Sequence, residues 1–424
     1  MSNIKERNNK IREAGIATRL KRSSQICKTF KFKIPTNRLN SEQKTCLKMM
    51  FVEAKWIYNY LLSNTDQVYD IVSNYKNLNV ITHLDKDKNE VKSNITHILS
   101  SARQELMQQI ANQIKGLTKL KEKGHEVGRL KYKSDFKSIK FKQYGVTHIF
   151  KGNKLKIQGI KQYIPLLGLK QIRKYGSNID FTTMNLIKEV DDYYVCLTCY
   201  IDKDDRKTSY IRDKIGIDLG IETNLTLSNG EKINCIVEES ERTKRLQSKI
   251  ARCKKGSNNR YKLRKKLERS YIKDRNRRED LTNKIVSRLI KENRIIVIQD
   301  DNLNKMKNNK SGSKTSNMIQ HSILGRVKAK LKQKKNIVWL DRWCPTTQYC
   351  SICGAKTKHK LDKRTFVCKK CGHTEDRDIH AANNMLFMFE SYAKSKEINT
   401  SQELAGALTT IKWSDLSKSL SPLV

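Results

Sequence analysis

Four cysteines near the C-terminus constrain this chain more than any other feature. Cys350, Cys353, Cys368 and Cys371 read Cys-x2-Cys-x14-Cys-x2-Cys. Two thiolates two residues apart form a knuckle, and two knuckles surround a zinc ion tetrahedrally. All four positions are then filled by protein, so the expected zinc is structural and offers no open position to a substrate. Cys344 lies six residues before the first of them and reads as a core or loop thiol, not a fifth ligand. The remaining cysteines (Cys27, Cys46, Cys196, Cys199, Cys235 and Cys253) have no disulfide rhythm. In a chain of this size that favours a reducing compartment, and a cytoplasmic location is expected.

The charge balance points to the partner. Lys and Arg number 87 against 43 Asp and Glu, a formal net charge of +44 over 424 residues. A compact chain with that excess repels itself unless a polyanion offsets it. Nucleic acid is the natural counterpart, through many phosphate contacts. A membrane partner is not expected. No apolar run approaches the roughly 18 residues of a spanning helix, and the N-terminus has no signal-peptide core.

Periodicity divides the chain. Met1 to Arg22 is charged and reads as a basic arm or helix. Cys27 to Ile34 alternates with period two, as a half-buried strand does, and Pro35 ends it. Asn40-Ser41 caps a helical region, Leu39 to Lys121, in which Cys46, Met50, Ala54, Ile57 and Leu61 recur at helical spacing. Strands return at 138–142, 155–157 and 193–200. Short apolar strands follow at Ile215–Leu219, Leu225–Leu227, Ile295–Ile298 and Ile337–Leu340, with a turn at Asn229-Gly230. Glu238 to Ile290 reads as one or two long helices, and Ile323 to Lys332 as another. Between Arg242 and Arg278 there are 17 Lys and Arg against two acids, Glu268 and Asp274. That imbalance is too one-sided for intrahelical ion pairing and suits a surface that tracks phosphates. Lys305 to Asn317 reads as a polar loop, and Ser395 to Val424 as a weakly patterned tail.

The acidic residues matter as a pattern. Asp218 closes one apolar strand and is followed by Gly220. Asp301 closes another, and Asp378 opens a helix seven residues after Cys371. A strand, strand, helix set of carboxylates can hold two divalent cations, which clamp the attacking and leaving oxygens of a phosphodiester. Oxygen donors select magnesium or manganese. No His or Cys nucleophile set competes with this reading.

The order of these motifs resembles the TnpB family of transposon-encoded RNA-guided endonucleases and the related miniature type V-F CRISPR effectors. Gly216-Ile217-Asp218-Leu219-Gly220-Ile221 is similar to the family's first RuvC motif. Asp300-Asp301-Asn302-Leu303 is similar to its second, and Cys371 through Asp378 to Ala382, with Asn384, to its third. Asp341 to Gly354 resembles its approach to the zinc ribbon. The resemblance implies an α+β multidomain chain, in which a wedge-like β-barrel with a helical insertion precedes an RNase-H-like (RuvC) α/β nuclease domain carrying a zinc ribbon. The corresponding divisions are a basic arm at 1–22, the barrel at 23–38 and 122–210, and the helical insertion at 39–121. The nuclease domain takes 211–342 and 374–394, the zinc ribbon 343–373, and the tail 395–424.

It further implies a guide RNA, a double-stranded DNA target, and cleavage of guide-matched DNA by a monomer or homodimer. The catalytic, magnesium-binding residues would be Asp218, Asp301 and Asp378, and the zinc ligands Cys350, Cys353, Cys368 and Cys371. The family supplies Glu in its second motif, where this chain has Asp301, one methylene shorter. Reduced activity is therefore expected. Two other readings follow: a guide-RNA-dependent DNA-binding protein with weakened nuclease, and a DNA-binding transposition accessory without a guide.

Overall fold

A computed structural model describes residues 2–64, 78–85, 87, 89–173, 175–176, 178–202, 209–221, 223–303, 318, 321–334, 336–357, 363–397 and 410–420. The chain separates into two compact units, Met1–Asp205 and Arg206–Val424.

The first unit begins with α1 (Ser2–Ser23), whose described side chains are exposed and show no apolar stripe. Next come β1 (Gln25–Ile34) and α2 (Ser41–Ser63). Asn40 caps α2 reciprocally: its side chain accepts from Gln43 N at 2.8 Å, and its own N–H donates to Gln43 Oε1 at 3.0 Å. The hairpin β2 (Val80–Leu84) and β3 (Glu90–Asn94) leads to α3 (Ser100–Glu122). The buried Glu53 carboxylate of α2 receives the N–H groups of His97 and Ile98 at 2.9 and 2.8 Å, which fixes the approach to α3. Then follow β4 (Ser138–Phe141), β5 (His148–Lys151), β6 (Lys154–Ile157), β7 (Ile164–Pro165), α4 (Lys170–Arg173), β8 (Ile179–Glu189) and β9 (Asp192–Asp202).

Two sequence expectations change here. Residues 39–121 are not helical throughout, because β2 and β3 interrupt them. Asp85 closes that hairpin by accepting the N–H groups of Asp87 and Asn89, a local turn that helical periodicity does not reveal. The expected barrel is also not closed among the described residues. Its strands form a four-stranded sheet, β1-β9-β8-β4, and a separate three-stranded sheet, β5-β6-β7. A single Lys33–Leu167 bridge joins β1 to the segment just after β7. Residues of α2 and α3 share one apolar core with both sheets, so helices cover the face that strand closure would otherwise seal.

The second unit is a three-layer α/β/α arrangement. Its strands are β10 (Arg212–Asp218), β11 (Leu225–Leu227), β12 (Lys232–Ile233), β13 (Asn293–Gln299) and β14 (Ile337–Leu340). They lie in the order β12-β11-β10-β13-β14. β10, β13 and β14 run parallel, with Ile217 opposite Ile298 and Ile298 opposite Trp339, while β11 is antiparallel to β10. Parallel strands need crossovers, and helices supply them. Between β12 and β13 lie α5 (Glu241–Ala251) and α6 (Asn258–Glu292), and between β13 and β14 lies α7 (Leu324–Leu331). The small pair β15 (Thr365–Val367) and β16 (Thr374–Asp376) precedes α8 (Arg377–Ser395) and α9 (Trp413–Leu420).

The sheet's two faces follow strand parity. Ile215, Ile217, Ile296, Ile298, Ile337 and Trp339 pack in one cluster with Ile285, Val286 and Leu289 of α6 and Val327 of α7. Ile295, Val297, Val338 and Leu340 face the other way, onto Met385, Met388 and Phe389 of α8. Ile411, Leu416 and Leu420 belong to that second cluster. Residues 410–420 of the weakly patterned tail expected at 395–424 are therefore partly core. Ile411 extends the edge of β14, donating to Trp339 O and accepting from Asp341 N. The expected loop at 305–317 lies outside the described residues.

Candidate functional site

Asp218 ends β10 on the face that meets α8. Two residues earlier, Gly216 sets how closely that helix approaches: a Cβ at Gly216 would lie 2.0 Å from the Ala382 carbonyl oxygen. Only glycine permits this contact. Asp378 lies one helical turn before Ala382, so it shares Ala382's side of α8. The glycine on the strand and the alanine on the helix thus bring Asp218 and Asp378 to the same end of the sheet.

The charges confirm the proximity. Burial, then the charges of Asp378 and Asp301, push the Asp218 carboxyl up to about 7, against the opposing pull of Arg377. Asp378 itself is steadied by Arg377 Nη2 at 3.3 Å. Asp376 caps α8, accepting from Asp378 N at 3.0 Å and Ile379 N at 3.2 Å. Lys232 pairs with Asp376 at 2.9 Å, which links β12 to the start of that helix.

Asp300 and Asp301 follow β13 and differ sharply. Asp300 is engaged by Lys328 at 2.6 Å and Lys332 at 3.0 Å. Despite partial burial, these two ammonium groups hold its carboxyl below the ordinary range. Burial instead pushes the Asp301 carboxyl up, against the attraction of Lys328 and Arg342. Of the two, Asp301 is the one whose charge reaches Asp218.

The four cysteines converge. Cys350 Sγ lies 3.6 Å from Cys371 Sγ, and Cys353 Sγ lies 3.5 Å from Cys368 Sγ. A tetrahedral zinc with bonds of about 2.3 Å needs sulfur–sulfur edges of about 3.8 Å, so these thiols could hold zinc with small adjustment. The Cys368 sulfur sits below the ordinary thiol range because the N–H groups of Cys371 and Lys370 point at it. Phe366 is buried against the cluster. Among the described residues, two sets of potential ligands have donor atoms within 4.8 Å of one another: these cysteines, and His373 with Glu375 and His380. The three aspartates are spaced more widely than either set.

Residues beyond the predicted set wire the cluster to the sheet and to α8. Asn384 Nδ2 donates to the carbonyls of Thr346 and Tyr349, both at 2.6 Å. Gln299, the last residue of β13, donates to Cys344 O at 2.7 Å and accepts from Thr346 Oγ1 at 3.1 Å. Cys344 is a buried core thiol. The roles of Gly216, Gln299 and Asn384 depend on partners distant in sequence. Only the small-residue pair Ala381-Ala382, one turn after Asp378, hinted at a close helix contact. On α5 and α6, Asp274 is buried in a clasp with Thr243, 2.7 Å away, so one of the region's two acids serves packing. Arg252, Lys262, Arg264, Lys266 and Lys273 are exposed there.

Residues 197–310 match the family described as a probable transposase of the OrfB type, and residues 322–385 match the Cas12f1-like TNB domain. Together these two matches contain all three aspartates and all four cysteines, in the order the sequence resemblance requires. Both matches agree with the resemblance to the TnpB family. A relative from Streptomyces pristinaespiralis, named an RNA-guided DNA endonuclease, is 35% identical over 181 residues, covering 41% of this chain and 44% of the relative. The Escherichia coli K12 protein InsQ, named likewise, is 25% identical over 194 residues, covering 41% of this chain and 48% of that protein. The matched region thus spans less than half of either relative. A solved Cas12f1–sgRNA–target DNA complex aligns at 13% identity with a TM-score of 0.48, covering 85% of this chain and 99% of that one. No described helix is long and apolar enough to cross a membrane.

Proposed function

We propose that this chain is an RNA-guided DNA endonuclease of a transposable element, of the TnpB type. It would hydrolyse phosphodiester bonds of guide-matched DNA in a RuvC-like domain. The observation that carries this reading is the raised Asp218 carboxyl at a sheet end, where Asp301 and Asp378 add like charge. A half-buried group of oxygen donors without enough compensating charge suits a hard divalent cation. Asp218, Asp301 and Asp378 would hold magnesium or manganese, which when bound supplies charge stabilisation at the phosphodiester and a nucleophilic water. Arg377 orients Asp378, Gly216 sets its approach to Asp218, and Asp218 must give up its proton before it can serve as a ligand.

The cysteine cluster would hold a structural zinc and brace α8. The exposed Lys and Arg of α5 and α6 would track phosphates of the guide RNA, the DNA target or both. On this reading the arm, wedge, helical insertion, nuclease domain and zinc ribbon would keep the divisions the resemblance implies, with the β2–β3 hairpin inside the insertion. Purified protein carrying its co-purifying RNA should cut DNA matched to that RNA when magnesium is supplied. Binding without cutting in both magnesium and manganese would favour the second reading, a guide-dependent DNA-binding protein, which the shorter Asp301 side chain motivates. Absence of a specific co-purifying RNA would favour the accessory reading.

A further inference from the structure

We propose a second transition-metal site, distinct from the four cysteines, formed by His373, Glu375 and His380. The three residues come from the loop after the last cysteine, from β16 and from the first turn of α8. Their donor atoms lie within 4.8 Å of one another. His380 Nδ1 is 3.2 Å from Glu375 Oε2, and His373 Nε2 is 3.6 Å from the same oxygen. Zinc bonds of about 2.0–2.2 Å to nitrogen and oxygen in tetrahedral geometry give donor–donor edges of about 3.3–3.6 Å. Both separations fall within or at the edge of that range.

The hydrogen bonding around the site points the same way. His380 Nε2 lies 2.7 Å from the Tyr349 carbonyl oxygen, which can only accept. Asn384 Nδ2, a donor, lies 2.9 Å from the same nitrogen; with the hydrogen on Nε2, a neutral ring turns the Nδ1 lone pair toward the Glu375 carboxylate, and this is the tautomer a metal at Nδ1 would select. A proton would serve two donors, whereas convergence of a third, His373, is a metal's arrangement. The outer contacts resemble those of metal-bound histidine, whose second ring nitrogen commonly donates to a backbone carbonyl. Glu375 is held in turn by Asn383 Nδ2 at 2.8 Å on its other oxygen, Oε1. His380 is wholly buried and stacks on Phe366 at 3.6 Å between ring centres.

Two imidazoles and one carboxylate suit zinc, cobalt or nickel over magnesium. A metal there would join the cysteine module to the helix start that carries Asp378, with water completing its coordination. The inference does not depend on the proposed nuclease activity.

The test is cobalt(II) titration of metal-free full-length protein, with excess magnesium present to occupy oxygen-only sites. The first equivalent should bring intense thiolate-to-cobalt charge transfer. A second should add d–d absorption with no further charge transfer. Zinc-loaded protein should carry two zinc ions per chain by elemental analysis. His373→Ala, at a partly exposed position, should lose only the second equivalent, and Cys353→Ser, with three thiolates left, should weaken the thiolate band. Saturation of wild-type protein at one equivalent would overturn the proposal. So would a folded His373→Ala variant, checked by circular dichroism, that still binds two.

Discussion

The cysteine cluster and the carboxylate group are built in opposite ways. The cysteines come from one short stretch, and their sulfurs meet at 3.5 and 3.6 Å. The aspartates come from two strand ends and a helix start, stay further apart, and meet only through the packing of β10, β13 and α8. A site of the first kind needs its ligands and its metal. One of the second kind needs the whole sheet, down to the glycine that admits a helix. The two should therefore fail differently.

Metal removal gives the largest contrast. Structural zinc contributes about 10–16 kcal/mol of apparent binding free energy in small zinc domains. Cys368→Ser should abolish zinc retention and disorder the module, seen as lost protection of residues 350–371 in hydrogen exchange, while β10, β13 and β14 stay protected. Loss of protection across the whole sheet would show that the two regions are not separable. Asp218→Ala and Asp378→Ala should do the converse. Cleavage should fall by more than the roughly 100-fold that second-shell substitutions can cost a metal site, with zinc content and guide-RNA binding retained. Equal cleavage by either variant would remove the carboxylates from the chemistry.

Gly216→Ala probes what sets the dispersed site. The added Cβ would meet the Ala382 carbonyl at 2.0 Å, so α8 must retreat. Overpacking costs about 1–3 kcal/mol, and a shift of about 1 Å at a reacting centre can cost up to about 100-fold in rate. A lowered melting temperature together with reduced cleavage and unchanged zinc content is expected. Unchanged cleavage would mean that this contact does not position Asp378.

Proton competition should also separate the regions. With the folded Asp218 carboxyl at about 7 and the ordinary value at 3.8, the metal-free fold binds the extra proton. Its contribution to stability is full below about pH 4 and lost as pH rises to about 7. Relative to Asp218→Asn, the metal-free wild type should therefore lose melting temperature across that window. Cleavage at limiting magnesium should rise about tenfold per pH unit below 7, and its midpoint should fall as magnesium increases. A midpoint independent of magnesium would place the titrating group elsewhere.

What could be read from the chain follows the same division. The cysteine spacing revealed its site because the geometry is local. The apolar strands Ile295–Ile298 and Ile337–Leu340 were legible because parallel strands, covered on both faces, are continuously apolar. The β2–β3 hairpin escaped because Asp85 closes it through a turn in a region dominated by helical periodicity. The packed α9 escaped because Leu416 and Leu420 gain meaning only against α8. The open sheets of the first unit escaped because alternation marks strands but not whether their edges meet.

The smallest expected effect concerns the two adjacent aspartates after β13. Asp300 is held by Lys328 and Lys332, so Asp300→Asn should change cleavage only a few-fold, chiefly by freeing those lysines. Asp301 has the raised carboxyl and bears on Asp218, yet it is a methylene shorter than the glutamate of the resembling motif. Its main-chain carbonyl accepts from Lys328, which ties the backbone in place and limits how far the strand end can move to compensate. Asp301→Glu should therefore extend the carboxylate by about one bond and raise cleavage several-fold at fixed magnesium, within the roughly 100-fold that an ångström of misplacement can cost. Single-turnover rates with saturating guide and target would measure the change directly. A fall instead would mean that the strand end is already adapted to the shorter acid, and that the dispersed site tolerates a ligand change that a cysteine cluster does not.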